Sequence, residues 1–215
     1  MRTIRRLIAA VALVFAFSGA LAADGADPAA PVAELHDALL DIMKRAEALG
    51  YQGRFAAIEP VVNETFDFPA IGRIVMGKHW AGLAEQEQKG FLEAFARLSV
   101  ATYASRFDGY DGESFRTVAN EKQNENNALV KTELVKGNGE TVSLNYQLRT
   151  DSNGKWRILN VVADGISDLS LKRAEYTSIM SSDGYAALMA KLNAKIAQYE
   201  ADGAATAGSG STSKQ

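Results

Sequence analysis

The sequence predicts an α+β protein: N-terminal helices, a four-stranded antiparallel meander sheet and two C-terminal helices. Three observations predict it. Apolar residues recur at helical spacing from Val32 to about Tyr110, and the spacing then changes to a period of two, clearest from Val142 to Leu148. Turn-forming residues bracket each alternating run, and helical spacing returns after Ser167. Helices, then an antiparallel sheet, then helices is the order of a segregated α+β architecture. Such a sheet has one apolar face, which helices from both ends of the chain must cover. The arrangement can enclose a cavity between sheet and helices, although it need not.

Residues 1–22 have the three parts of a secretory signal peptide. Arg2, Arg5 and Arg6 form the positive end, Leu7 to Phe17 is an unbroken apolar run, and Ala20-Leu21-Ala22 places small residues where a signal peptidase reads. The run is about half the roughly 20 apolar residues that a membrane span needs, so cleavage after Ala22 is expected rather than an uncleaved anchor. Residues 23–30 form an Ala/Asp/Pro leader, 31–200 one globular domain, and 201–215 a Gly/Ser/Ala/Thr tail too polar and small to order itself.

Within the domain, Leu35, Leu39, Ile42, Ala46 and Leu49 give a first helix stopped by Gly50. Arg54 to Thr65 gives a second, bent or offset at Pro60. Asp67 caps a short third helix with Pro69 in its first turn and Gly77 at its end. A long helix from Glu85 to Phe107 carries two adjacent apolar stripes, a broad arc that suits a helix packed between two neighbours. The strands are Ser114–Lys122, Asn127–Lys136, a strictly alternating one through Val142, Leu144, Tyr146 and Leu148, and Lys155–Ala163. Gly137-Asn138-Gly139 and Asp151-Ser152-Asn153-Gly154 turn the chain between the last three. Helices over Leu169–Ser182 and Tyr185–Tyr199 close the domain.

Composition excludes several classes. With no cysteine there is no lipoprotein anchor, no disulfide and no thiolate metal site. Loss of three arginines with the signal moves the formal charge from −3 to −6, which does not suit nucleic acid. His36 and His79 lack a partner at metal-ligand spacing and read as surface or capping residues. Asp108 to Glu113 resembles a calcium loop only at its start, since its last ligand position falls on Ala119. Carboxylate pairs, Glu64 with Asp67 and Asp164 with Asp168, sit at helix starts, where Asp67 and Asp168 read as N-caps. No nucleophile elbow, phosphate-binding loop or dinucleotide fingerprint is present. The weight falls on binding rather than catalysis, with no cofactor.

What the sequence has in surplus is aromatic and apolar residues around Phe66, Phe68, Ile71, Val75, Met76 and Trp80, and again at Tyr103, Phe107 and Tyr110. Packing accounts for most of them. The order Phe66-Asp67-Phe68, Ile71, Gly77, Trp80, then Gln86 or Gln88, Phe91, Phe95 and Tyr103, then Tyr146-x-Leu148, Trp156 and Gly165-Ile166-Ser167 before Lys172, Arg173 and Tyr176, is similar to that of the MlaC-like (toluene-tolerance type) lipid-binding proteins. The stretch from Ala101 to Tyr110 looks nearest to the hopanoid-associated HpnM branch. One departure is Ala84, where the family often has a capping Ser or Thr; its absence costs on the order of 1 kcal/mol.

The resemblance implies a soluble periplasmic carrier with an apolar cavity between sheet and helices. It would shield the tails of a phospholipid, or a hopanoid, and pass the lipid between an inner-membrane transport complex and an outer-membrane lipoprotein complex. The residues expected to line the cavity are Phe68, Ile71, Val75, Trp80, Phe95, Tyr103, Phe107, Leu144, Tyr146 and Trp156. Lys172 and Arg173 are plausible basic contacts for a partner. Two alternatives stand beside this reading. One is a ketosteroid-isomerase-like enzyme, for which Asp164 is the candidate acid. The other is an envelope adaptor whose aromatic residues pack solidly and leave no cavity.

Overall fold

The helical block begins where apolar residues at positions three and four apart first recur, and the computed structural model, which describes residues 27–210, shows how it is divided. The export signal, its cleavage site and residues 211–215 lie outside this range. Helix α1 (Ala30–Lys44) buries Leu35, Leu39 and Ile42. A break at Arg45 starts α2 (Ala46–Thr65), in which Gly50 adopts φ 58° and ψ −176°. Gly50 thus interrupts the helix as expected, and a second helical run follows directly after the kink; glycine enters this conformation without a side-chain penalty. Pro60 lies on the exposed side of α2 and does not stop it.

Arg54 is buried at the kink, donating from Nη1 to the Ala46 carbonyl and from Nε to the Ala104 carbonyl at 2.9 Å. Ala104 lies in the last turn of α4 (Glu85–Arg106), where carbonyls lack helical partners, so a cation there offsets both the missing hydrogen bond and the helix dipole. Between α2 and α4 come α3 (Phe68–Met76) and a 3₁₀ turn at Gly77–Gly82. Asp67 caps α3 by accepting from the Ala70 amide, as its position before Pro69 predicts. At the start of α4 the capping residue is Ala84, so only half of a capping box forms: Glu87 accepts from the Ala84 amide.

The sheet is an antiparallel meander in the order β1 (Ser114–Asn124), β2 (Asn127–Val135), β3 (Thr141–Thr150), β4 (Trp156–Ala163), β5 (Ile166–Ser167). The expected four strands are thus five. Asp164 and Gly165, both at positive φ, turn the chain tightly enough for Ile166 and Ser167 to pair back onto β4 before the next helix begins. Helix α5 (Asp168–Ser182) is capped by Ser167, which accepts from the Ser170 amide, and not by Asp168, which is its first helical residue. Helix α6 runs from Gly184 to Gly210, so residues 201–210 of the expected tail are helical. Alanines at 204, 205 and 207 favour the helix, and Gly203 lets it approach Tyr51 of α2 more closely than any side chain would allow.

The register divides the inner face of the sheet in two. Ala128, Val130, Tyr146, Leu148, Ile158 and Trp156 are buried in the packed core, against α1, α2 and α3. Further along the same face come Leu134, Val142, Leu144, Val161 and Ala163, only partly buried by protein. A β-bulge makes this possible: Gln147 pairs with Asn160 but Leu148 pairs with Ile158, so Leu159 is the extra residue. The alternation slips by one there. Trp156 and Ile158 face inward on one side of the bulge, Val161 and Ala163 on the other.

Candidate functional site

The unfilled half of the sheet is the back wall of a cavity of about 850 Å³. This is near the top of the roughly 300–1,000 Å³ that small-molecule sites occupy. Leu134, Val142, Leu144, Tyr146, Val161 and Ala163 line it from the sheet. Leu39 and Met43 of α1 contribute from one side, and Leu169, Leu171 and Lys172 of α5 from the other.

The front wall is a chain of aromatic rings supplied by the α2–α3 junction, α3 and α4. Phe107 tilts against Tyr103 at 6.0 Å, Tyr103 against Phe66 at 6.1 Å, and Phe66 stacks on Phe68 at 5.8 Å. Phe68 meets Phe95 edge-on at 5.9 Å, and Phe95 continues to Phe91 at 5.8 Å. Ring pairs of this geometry contribute ~0.5–1.5 kcal/mol each beyond area burial, so the wall is held together by its own packing. The Asp67 amide donates to the Ile158 carbonyl at 3.0 Å, which fixes the Phe66–Phe68 corner to β4.

Of the residues expected in the wall, Phe68, Ile71, Phe95, Tyr103, Phe107, Leu144 and Tyr146 line the cavity. Val75, Trp80 and Trp156 do not. Val75 is fully buried in the core, and Trp80 packs edge-on to Phe91 of α4 and beside Gly72 of α3. Trp156 belongs to the packed half of the sheet, opposite Thr150, because the bulge lies between it and the cavity. Sequence reasoning left out Phe66 despite its place in the aromatic cluster. It also left out Leu39 and Met43, whose i, i+4 spacing on α1 is indistinguishable from ordinary core, and Val142, which shares the alternating stripe of Leu144 and Tyr146.

Tyr103 and Tyr146 line the cavity, Tyr176 packs behind it against Phe91 and Phe95, and none of the three is an acid at neutral pH. Burial raises the Tyr103 hydroxyl, with the Asp168 carboxylate adding to the shift and Arg106 opposing it. Burial likewise raises Tyr146 and Tyr176. Tyr146 Oη lies 3.0 Å from His36 Nε2, and the His36 ring stacks on Phe115 at 3.9 Å with the planes 8° apart. His36 is thus a buried core residue and not the surface or capping residue its isolation suggested. Burial holds its pKa down at about 4, so the ring is neutral. His79 is half-buried, with Nε2 3.2 Å from Ser181 Oγ.

The polar side chain most deeply built into the wall is Asn160, at the bulge. Its Nδ2 donates to Gln147 Oε1 and Ser167 Oγ, and its Oδ1 accepts from the Leu169 amide at 3.1 Å. It supplies a partner to an unpaired amide in the first turn of α5 and holds that helix over the cavity. Asp164, the candidate acid, is exposed in the β4–β5 turn, outside the wall, with its carboxylate accepting from the Ser143 amide at 2.9 Å. Glu64 pairs with Lys155 and Arg157 on the surface. Among the described residues no cluster of three metal-ligating side chains exists, the Asp108–Glu113 loop included.

Chemically, the arrangement can exclude water from an apolar molecule. That defines a cavity protein of the α+β class, preformed between a bulged sheet and an aromatic-faced helix layer. The chain belongs to the family described as MlaC protein, whose model matches residues 33–194. It is 20% identical over 130 residues to the intermembrane phospholipid transport system binding protein MlaC of Haemophilus influenzae. That match covers 59% of this chain and 61% of the relative, so the chain spans less than two thirds of that protein's length. In fold it is similar to a phospholipid-binding protein from Ralstonia solanacearum solved in complex with a phospholipid. The TM-score is 0.72 at 20% identity, over 81% of this chain and 99% of that one.

Proposed function

We propose that the mature protein is a periplasmic lipid carrier. It takes the tails of a phospholipid, or of a hopanoid, into the cavity and carries the molecule between an inner-membrane transport complex and an outer-membrane lipoprotein complex. The observation that carries this reading is the apolar cavity of about 850 Å³ with its aromatic wall. Exposing tails to water costs ~0.8 kcal/mol per CH₂, so covering even ten methylenes offsets about 8 kcal/mol of the barrier to leaving a bilayer. The family and the names of the two similar proteins support a phospholipid as cargo. Support for export comes from the Arg2–Ala22 signal, and among the described residues no helix is long and apolar enough to cross a membrane.

The enzyme reading has little behind it, because Asp164 is exposed and occupied; the adaptor reading called for solid packing where there is open space. Purification from the periplasm, organic extraction and mass spectrometry test the proposal. Co-purified lipid at close to one molecule per chain is expected. Protein that is empty and also takes up no lipid from liposomes refutes it.

A further inference from the structure

Cations without a counter-charge are few in this protein, and most of them meet at one turn. Among the described residues, Arg73, Lys78, Arg106, Lys122 and Arg173 are the lysines and arginines whose side chains make no ion pair, hydrogen bond or ring contact. Arg73, Lys78 and Arg173, all exposed, flank Gly77, where α3 ends against α5. Gly77 donates its amide to the Arg73 carbonyl, and Lys78 follows it in the chain. A Cβ on Gly77 would stand 3.8 Å from Arg173 Nη2 and 3.4 Å from Thr177 Cγ2. The floor of the seam between the two elements is neutral. Thr177 and Ser181 turn their hydroxyls onto carbonyls of their own helix, and His79 Nε2 meets Ser181 Oγ at 3.2 Å.

No carboxylate answers these cations. No Asp or Glu occurs between Asp67 and Glu85. Asp67 is paired with Arg149, and Glu85 stands beyond the 3₁₀ turn in the first turn of α4, where the helix dipole favours it. On α5, Asp168 is held by Lys172, Glu175 by Lys191, and Asp183 accepts from Ser182 Oγ. One cation at the C-terminal end of α3 is what its dipole favours. Three without a counter-charge repel one another, and folding gives no reason to collect them.

We propose that this basic seam between α3 and α5 is a docking surface for a partner protein, which presents a segment rich in Asp and Glu. Guanidinium forks match carboxylates in geometry as well as charge, and two of the three cations are arginines. An anionic bilayer fits the surface less well. Without its signal arginines the chain carries a formal −6, which opposes approach to such a bilayer. The large apolar side chains exposed among the described residues also lie elsewhere: Tyr110, Ile166 and Leu171 line the cavity and Val118 is on β1. The seam is distinct from the cavity, since α3 gives Phe68 and Ile71 to the cavity and Arg73 to solvent. The inference therefore goes beyond the carrier reading and does not depend on the cargo.

The test titrates ¹⁵N-labelled mature protein with an octaglutamate peptide at about 50 mM salt, where screening is weak. Amide shifts should move in 73–79 and 173–181 and not around Lys122 on β1. Arg73→Gln, Lys78→Gln and Arg173→Gln should each weaken binding about two- to fivefold, as exposed ion pairs do, and the triple variant should lose it. Lys122→Gln should leave it unchanged. Circular dichroism and unchanged lipid uptake show that each variant is folded. Absence of binding, shifts spread equally over the seam and Lys122, or a triple variant that binds like the wild type overturns the proposal and leaves the carrier reading standing. Vesicles of phosphatidylglycerol supply the competing surface. Sedimentation with them that is lost in the triple variant would assign the seam to a bilayer and overturn the protein assignment. In cells, a photo-crosslinking residue at the exposed Ala174 should give an adduct on an acidic stretch of one protein, lost in the triple variant. No adduct, or one on a segment without acids, overturns the proposal.

Discussion

Acidification should destabilise this protein through His36. The ring is buried on α1 between Phe115 and Tyr146, and its pKa is held at about 4 by burial, against 6.5 when free. Above pH 6.5 both folded and unfolded chains carry neutral histidine, and the full stability is present. As pH falls from 6.5 toward 4 the unfolded chain takes up a proton that the folded chain refuses, so stability is lost across that window. Below about pH 4 both forms are protonated and the loss levels off. A difference of 2.5 pH units, at 1.36 kcal/mol each, amounts to about 3 kcal/mol. In a domain of this size that corresponds to roughly 6–12 °C in melting temperature.

Carboxylates titrate in the same range, so the measurement is a difference of differences. Urea unfolding of wild type and His36→Gln at pH 7.5 and pH 4 isolates the histidine. Glutamine keeps a partner for the Tyr146 hydroxyl but does not titrate, and its stability should fall by about 3 kcal/mol less than that of the wild type. If both proteins lose the same stability between the two pH values, His36 is not held neutral by the fold and the argument fails.

Three other substitutions probe the cavity and its supports. Ala163→Phe, which points a ring into the cavity beside Leu144, should lower lipid uptake at least about tenfold while the melting temperature holds or rises, because it fills space that is already open; unchanged uptake would place the lipid elsewhere. Asn160→Ala removes the side chain that ties β4 to Gln147, Ser167 and the Leu169 amide, and should cost about 1–3 kcal/mol. Hydrogen exchange should accelerate in α5 before any other helix. Gly137→Ala would place a Cβ 1.6 Å from the Asp111 carbonyl, so the 107–113 loop at the mouth must shift. Lipid exchange rates measured by fluorescence should change several-fold, with a much smaller change in unfolding midpoint.

How far these features could be read from the sequence depends on whether a residue's partner is local. Helix boundaries at Asp67, Gly77 and Glu85 and the strand through Val142 to Leu148 follow from caps, glycines and alternation, all short-range signals. Gly50 interrupts the helix as its residue type signals, but the sequence does not show that a second helical run follows at once, with Arg54 bonded back across the break to Ala46 and on to Ala104. Strand β5 is two residues long and leaves no periodicity to detect. For His36 the decisive contacts are Phe115 and Tyr146, distant in sequence. Trp156 failed for a related reason. It lies on the correct face of β4, but the bulge at Leu159, which no residue type announces, decides which inward residues meet cavity and which meet core.

The division of the sheet has a thermodynamic consequence. Since Leu148, Ile158 and Trp156 complete a core on one side of the bulge, the chain should fold without a guest molecule. Occupancy adds stability by mass action, but it replaces no missing part of the interior. A vehicle that fell apart on delivery could be used once. Here the masonry and the cupboard are separate halves of one wall, and emptying the second leaves the first standing.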